Sequence, residues 1–514
     1  MIGTEDAVAD LESNGRQDPG TESPAPGGYG RRQRIGLWAG PLVLIVLLLL
    51  PAPAGMSAAA WRTAAVGIFM ATWWITEAAP IPATALVPLL LFPLLGVMPI
   101  GATAAPYANP VIYLFMGGFV VALAMQRHRL HIRIALGVVR LMGVHPRRVV
   151  LGFMLATAFV SMWVSNTATA VMMLPIGLSV AQLVNAQGQA DDARNFALTL
   201  MLGIAYAASI GGIGTLIGTP PNALLAAYML ETFGYQIGFA QWMLVGVPLV
   251  VVSLPLTWLL LTRLVYPVRL AELPGGRELI GREYDRLGRW SRGERRVACI
   301  FLLTAALWIA RPLLETRIHG LSDTGIAIAA ALATFLVPLD LRKGEFLLDW
   351  RSAEQLPWGV LVLFGGGLAL ADAVTESGLA EWIGGTLGGV QAWPILLVVV
   401  LVTAILVFLT ELTSNTAVAA AFLPLVASLA IGLGENPLLL AAPAVIGASC
   451  AFMLPVATPP NAIVYGGGYV TVPQMARAGF WLNLMCIVLI TALAYTVLPW
   501  AFHIQLGVLP AWAR

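Results

Sequence analysis

Charged residues are scarce in this chain of 514 residues: Asp, Glu, Lys and Arg together make up 11%, where a soluble domain carries about 25%. Hydrophobic residues make up 59% and the mean hydropathy is +0.84. No soluble fold hides that much apolar surface, so the bilayer is the expected solvent. Strict alternation in segments of about ten residues, the mark of a membrane barrel, is missing. The apolar runs are longer and continuous, as at 43–50 and 395–409, so the spans are predicted to be helices, which pair their own backbone groups. Cysteine is scarce too. Cys299, Cys450 and Cys486 stand far apart in apolar runs, with neither metal-ligand spacing nor an obvious disulfide pair, and read as small core residues. His128, His131, His145, His319 and His503 are placed in loops or at span ends, which weighs against an intramembrane metalloenzyme or Ser–His hydrolase. No G-x-x-x-x-G-K-[ST] phosphate loop occurs, so a nucleotide-driven pump is set aside. The net charge of +2 is uninformative.

Residues 1–35 are polar and rich in Gly, Pro, Asp and Glu and are expected to form a disordered cytoplasmic tail. Arg31, Arg32 and Arg34 precede an apolar run read as an uncleaved first span, with the arginines as positive-inside anchors. Predicted spans are 36–53, 57–76, 82–99, 108–126, 196–232 (broken), 240–264, 298–316, 322–339, 357–375, 437–466 (broken) and 479–502. The segments 149–186 and 395–432 are apolar but interrupted by polar triplets, and are expected to enter and leave on one side. This makes an all-α polytopic membrane protein of about eleven transmembrane helices plus two re-entrant hairpins. Its expected divisions are scaffold helices at 36–107, a first repeat at 108–265, a basic cytoplasmic loop at 266–297, scaffold helices at 298–356 and a second repeat at 357–514.

The internal repeat is the strongest signal. Ser165-Asn-Thr-Ala168 recurs as Ser414-Asn-Thr-Ala417, an offset of 249 (414 − 165). At the same offset Phe115, Gly117, Gly118 and Pro175 meet Phe364, Gly366, Gly367 and Pro424, and Ser161 meets Thr410. Thr219-Pro-Pro-Asn-Ala223 recurs as Thr458-Pro-Pro-Asn-Ala462, offset by 239 (458 − 219). Segment 127–148 holds six arginines and no acid, whereas its counterpart 376–397 holds Glu376 and Glu381 and no Lys or Arg. The positive-inside rule therefore predicts opposite sides, that is, inverted repeats. Beyond setting topology these arginines are expected to do nothing.

Inverted repeats with broken helices mark secondary transporters, whose sites lie where the helices are discontinuous. Ser, Thr and Asn are preferred N-caps. A hairpin tip at Ser-Asn-Thr exposes backbone N–H groups and the positive end of a half-helix. Proline removes a donor and suits a first helical turn, so each Thr-Pro-Pro-Asn predicts a restart after an unwound stretch. Free carbonyls and hydroxyls suit Na⁺, while helix N-termini suit a carboxylate or sulfate. No Lys or Arg lies near any of the four breaks in sequence. An anion must then be held by neutral donors, with bound cations supplying the counter-charge. Cation and anion sites should touch, each raising the affinity of the other. Glu411 flanks the second tip, where the first repeat has Met162. It reads either as a proton or cation site or as a group facing an outer aqueous vestibule. Glu77, Asp323 and Asp372 fall near span ends.

These paired triplets and breaks, with Trp73-Trp-Ile-Thr-Glu-Ala-Ala-Pro-Ile81 and Ala448-Ser-Cys-Ala-Phe-Met-Leu-Pro-Val-Ala-Thr-Pro-Pro-Asn461, resemble the divalent anion/sodium symporter family over roughly residues 36–505. The resemblance implies a carrier rather than an enzyme, with no cofactor and Na⁺ as coupling ion. It further implies a homodimer in the inner (cytoplasmic) cell membrane and an elevator-like movement of both hairpins. Carried over by motif, one sodium site would involve Ser161, Ser165, Asn166 and Gly218, and the other Thr410, Thr413, Asn415 and Ala457. Substrate would meet Ser165, Asn166, Thr167 and Thr219 on one side and Asn415, Thr416, Thr458 and Pro459 on the other. Expected partners are lipid, Na⁺ and a small dicarboxylate of the succinate, malate or fumarate type, and no nucleic acid. The alternatives are a Na⁺-coupled sulfate, oxyanion or tricarboxylate carrier, or a sodium-independent exchanger. Family exchangers are implied to carry basic residues at the cation sites, and none stands at 161–167, 214–222, 410–416 or 454–461.

Overall fold

A computed structural model of the chain describes residues 29–143, 145–185, 190–270, 276–386 and 393–513; the predicted tail falls outside these up to residue 28. The helices before the first hairpin are α1 (Arg31–Leu49), α2 (Ala58–Thr76), α3 (Val87–Leu94), α4 (Pro110–Arg127) and α5 (Leu130–Leu141). The first hairpin and broken helix comprise α6 (Pro146–Ser161), α7 (Asn166–Asn185), α8 (Ala190–Gly212) and α9 (Pro220–Phe233). Then come α10 (Phe239–Leu259), α11 (Gly276–Arg286), α12 (Arg292–Leu314) and α13 (Asp323–Leu336). The second half continues with α14 (Trp358–Glu376), α15 (Leu379–Thr386), α16 (Ile395–Thr410), α17 (Asn415–Gly432), α18 (Pro437–Ala448), α19 (Pro459–Gly466) and α20 (Val472–Phe502). Two short strands, β1 (Pro338–Asp340) and β2 (Glu345–Phe346), pair antiparallel. Among the described residues nine helices are long and apolar enough to cross a membrane.

Every predicted span falls on helix, and several differ in detail. Predicted span 82–99 is broken into residues 81–84 and α3, because prolines at 82, 88 and 93 interrupt it. α1 begins at Arg31, ahead of the predicted 36. Cys450 and Cys486 are buried, but Cys299, expected in the core, is exposed on α12. α5 and α11 were expected as loop. α5 is an amphipathic helix that buries Leu130, His131, Arg133, Ala135, Leu136 and Val139, and its arginines mask an apolar face with helical spacing. His131 is therefore helical, and burial pushes its imidazole down to about 4 against a hydrogen bond with the Met125 carbonyl.

The arginines of 127–148 do more than set topology. Arg133 is buried and pairs with Glu294 at 2.7 Å, while its other nitrogens donate to the Gly288 and Leu287 carbonyls. Glu294 closes the N-terminus of α12 through a capping box with Ser291. Arg127 pairs with Asp349 at 2.7 Å, and Arg147 donates to Val268 O. The one fully buried arginine of the three, Arg133, thus has a charged partner, without which its burial would cost several kcal/mol or more.

Matching helix ends and close glycine contacts recur in the two halves. α6 and α16 end at Ser161 and Thr410, and α7 and α17 begin at Asn166 and Asn415. Gly246 of α10 lies too close to Ile213 O to admit a Cβ, and Gly479 of α20 stands in the same relation to Phe452 O. Both glycines let a spanning helix seat an unwound stretch. α7 packs against α19 and α9 against α17, so the hairpin of each half lies on the broken helix of the other.

Candidate functional site

α8 stops at Gly212 and α9 starts at Pro220. α18 stops at Ala448 and α19 starts at Pro459. Thr219 and Thr458 are the N-caps of the restarted helices, with nearly equal backbones (φ −144°, ψ 140° and φ −143°, ψ 148°) and no side-chain cap bond. Proline follows each, as a first helical turn permits. What keeps the stretches open is an asparagine sequence analysis had not singled out. Asn222 Nδ2 donates to the carbonyls of Gly212, Ile213 and Thr215, at 3.3, 3.2 and 2.8 Å. Asn461 Nδ2 does the same for Ala451 and Leu454, at 3.2 and 3.0 Å. Their signal was present in the fourth position of each Thr-Pro-Pro-Asn.

The hairpin tips show the closest duplication. Ser161 Oγ lies 2.6 Å from Asn166 Oδ1 and 2.8 Å from the Ala208 carbonyl oxygen. Thr410 Oγ1 lies 2.6 Å from Asn415 Oδ1 and 2.8 Å from the Ala448 carbonyl oxygen. In each set two oxygens converge on one hydroxyl, making three oxygens in all, and the hydroxyl has a single proton to give. A Cβ on Gly212 would fall 2.6 Å from Asn166 Oδ1 and 3.0 Å from Gly218 O, so the first set also borders the unwound backbone. Such neutral oxygen sets suit a small hard cation. Ala208 and Ala448 enter through backbone carbonyls, which leave no trace in side-chain identity.

The structure thus brings Ser161, Asn166 and Gly218 together in one half, and Thr410 and Asn415 in the other. Thr413 is buried with its hydroxyl donating to Leu409 O at 3.3 Å, away from Asn415. Ala457 is buried, and no described hydrogen bond ties it to Thr410 or Asn415. Ser165 is half-buried and accepts from Ala168 N at 3.3 Å, a true cap, whereas Ser414 is an N-cap without a side-chain bond. Asn166, Thr167, Asn415 and Thr416 are half-buried at the starts of α7 and α17, where helix N–H groups lack internal partners. Thr219 and Thr458 are buried, and Thr458 Oγ1 has no hydrogen-bond partner among the described residues. Pro459 is exposed.

Glu411 does not face an aqueous vestibule. It is 3% exposed. Its carboxylate accepts from the N–H groups of Phe452, Met453 and Leu454 at 2.6–3.2 Å, and from Asn483 Nδ2 at 2.7 Å. One side chain therefore ties the second tip to the second unwound stretch and to α20. The first repeat needs no such acid. There the N–H groups of Ile213 and Gly214 bond within turns to Ile210 and Gly211, and Thr215 donates its hydroxyl to Met162 O.

The expectation that no basic side chain approaches a break fails at one point. Arg32 donates from Nη1 to Leu412 O, in the second tip, at 2.7 Å. The two residues stand 380 apart in the chain, which is why sequence proximity missed them.

Comparison with known proteins identifies the family. The model for the sodium:sulfate symporter transmembrane region matches residues 33–504. A sodium-dependent dicarboxylate transporter of Staphylococcus aureus (strain USA300) is 44% identical over 487 residues, covering 93% of this chain and 94% of that protein. One of Staphylococcus saprophyticus is 43% identical over 479 residues, covering 92% of each. Among solved structures, the Alcanivorax borkumensis YdaH transporter has a TM-score of 0.54 at 16% identity, covering 76% of this chain and 86% of that one. Neisseria gonorrhoeae MtrF also has a TM-score of 0.54, at 13% identity, covering 91% of this chain and 95% of that one; these two likenesses concern the fold alone. The relatives are transporters, and this multi-pass membrane chain belongs to the sodium:sulfate symporter family.

Proposed function

We propose that this protein is a secondary active carrier that couples Na⁺ to the uptake of small dicarboxylates of the succinate, malate or fumarate type. The observation that carries this reading is the matched pair of oxygen sets, Ser161–Asn166–Ala208 and Thr410–Asn415–Ala448. Each lies beside a helix N-terminus. The relatives at 43–44% identity, named as sodium-dependent dicarboxylate transporters, support the same substrate class and ion. One Na⁺ is held by Ser161, Ser165, Asn166 and Gly218, and another by Thr410, Thr413, Asn415 and Ala457. With Thr413 turned to Leu409 O, its contribution needs a change of rotamer. The dicarboxylate is gripped from one side by Ser165, Asn166, Thr167 and Thr219, and from the other by Asn415, Thr416, Thr458 and Pro459.

Four helix N-termini, those of α7, α9, α17 and α19, supply partial positive charge worth roughly 0.3–2 kcal/mol each. That does not hold a dianion in a low-dielectric cleft by itself. The cations therefore provide the remaining charge, and this is the physical origin of coupling.

The repeats are inverted, with the N-terminus in the cytoplasm and the C-terminus outside. The arginines of 127–148 against the acids of 376–397 support this. Packing of each hairpin on the broken helix of the other half supports one body that moves as a unit, elevator fashion, against the scaffold helices of a homodimer. In proteoliposomes with an inward Na⁺ gradient, succinate is expected to accumulate against its own gradient. Uptake should collapse to background when K⁺ or choline replaces Na⁺. Full-size uptake without Na⁺ would refute the coupling, and sulfate uptake that succinate fails to compete would refute the substrate class.

A further inference from the structure

We infer that Arg32 is a positioning residue for the second hairpin. It is a polar clasp that holds the hairpin turn against α1 and α2, and that has to open when the hairpin moves. The inference rests on the mobile-body reading above and adds the contact that governs the motion.

The turn 411–414 joins α16 to α17 and is held from two sides. From behind, Glu411 is fixed by the N–H groups of 452–454 and by Asn483. In front, the Leu412 carbonyl accepts from Arg32 Nη1 at 2.7 Å. The same guanidinium donates from Nη2 to Ile75 O, in the last turn of α2, where carbonyls lack helical partners. It also lies 4.0 Å from Glu77. A cation at a helix C-terminus is favoured by the helix dipole. A fork with separate N–H groups can satisfy two carbonyls at once, which an ammonium on a flexible stem does poorly.

Arg32 is presented from a firm base. Gly36 and Gly40 of α1 lie too close to Thr76 and Trp73 of α2 to admit a Cβ, so the two helices pack backbone to side chain along that edge. The turn it grips carries Thr410 and Asn415 at its two ends. A shift of Leu412 therefore shifts both side chains of the second oxygen set.

The first hairpin is held in another way. At the matching position Trp163 packs edge-on against Phe301 of α12, with centroids 4.9 Å apart, and stacks on Phe239 at 6.1 Å. That contact is apolar. The clasp is polar and lies at the surface, with Arg32 47% exposed in its side chain and Leu412 56% exposed. Water replaces such hydrogen bonds at small net cost, so this contact breaks and reforms readily. The two tips are therefore held unequally: the first meets its neighbours through apolar rings and the second through a polar clasp.

The test uses the full chain in liposomes, with exposed Cys299 replaced by Ser. Spin labels are placed at Leu412→Cys, which leaves the gripped backbone carbonyl in place, and at Trp38→Cys on the exposed face of α1. Without Na⁺ and succinate the labels should report a narrow, short separation. Arg32→Ala should shift the ratio of short to long separations by about fivefold toward long, the scale of one exposed hydrogen bond. It should also change the KM for Na⁺ along with the maximal rate. Should Arg32→Ala not be recovered folded, Arg32→Lys, which keeps the charge without the fork, should give a smaller shift in the same direction. An unchanged distance distribution in folded Arg32→Ala, with Na⁺-driven uptake intact, overturns the clasp and leaves the proposed function standing. Loss of Na⁺ dependence in the wild type, with the distance shift still present, overturns the function and leaves the clasp.

Discussion

Replacing Asn166 or Asn415 by alanine is expected to lower Na⁺-driven succinate uptake by about 100-fold or more, while the protein still folds. Each amide stands at the first position of a half-helix and sets its Oδ1 2.6 Å from a hydroxyl oxygen, Ser161 Oγ or Thr410 Oγ1. Removing it takes one oxygen from a set of three and a donor from the substrate side. The loss falls on a charged ligand, where a single hydrogen bond is worth about 1.5–3 kcal/mol. The fold loses little, because both residues are half-buried at the tips and alanine is a good helix former. Uptake at saturating Na⁺, together with the thermal shift produced by Na⁺ alone, measures the effect. Wild-type kinetics in both variants would remove these residues from the site.

Glu411→Ala should be the most damaging change to the fold at the site. Four donors, the buried Phe452 N–H and Asn483 Nδ2 and the part-buried N–H groups of Met453 and Leu454, lose their common acceptor. An unsatisfied buried group costs about 1–3 kcal/mol, so the loss is expected to reach roughly 4 kcal/mol or more even if part of the stretch relaxes. Glu411→Gln restores one acceptor oxygen but turns an NH₂ toward donors, and should recover only part of the stability. Met162→Leu, at the matching position of the first repeat, should change stability by less than about 1.5 kcal/mol, since it swaps apolar side chains of similar volume. Melting temperatures of the three variants in one detergent decide the matter. A Glu411→Ala protein as stable as Met162→Leu would show that the carboxylate does not hold the unwound stretch.

The helices and their breaks were legible in the sequence because apolar runs, Pro-Pro pairs and N-cap triplets act locally. Duplication doubled each signal, so the ends of α6 and α16 match in the sequence alone. Ser161, Thr410, Asn166 and Asn415 were legible as matched positions, and their reading as cation-site oxygens came from the family resemblance. The amphipathic α5 and α11 were hidden because arginines on one face of a short helix look like loop. Backbone ligands such as Ala208 and Ala448 were invisible, since a carbonyl is common to every residue. Glu411 stayed ambiguous. An acid near a span end reads alike whether it meets water or a row of N–H groups arriving from residue 452 onward. Arg32 lay beyond reach for want of any local cue linking the first helix to a turn 380 residues away.

The most direct measurement is the affinity for succinate as a function of Na⁺, paired with the affinity for Na⁺ as a function of succinate, on purified protein by ligand-induced thermal stabilisation. With cations supplying the charge that neutral donors lack, Na⁺ should tighten succinate binding by tenfold or more, on the order of the usual coupling energies, and succinate should tighten Na⁺ binding by the same factor. Succinate that binds equally well in choline and in Na⁺ would contradict it.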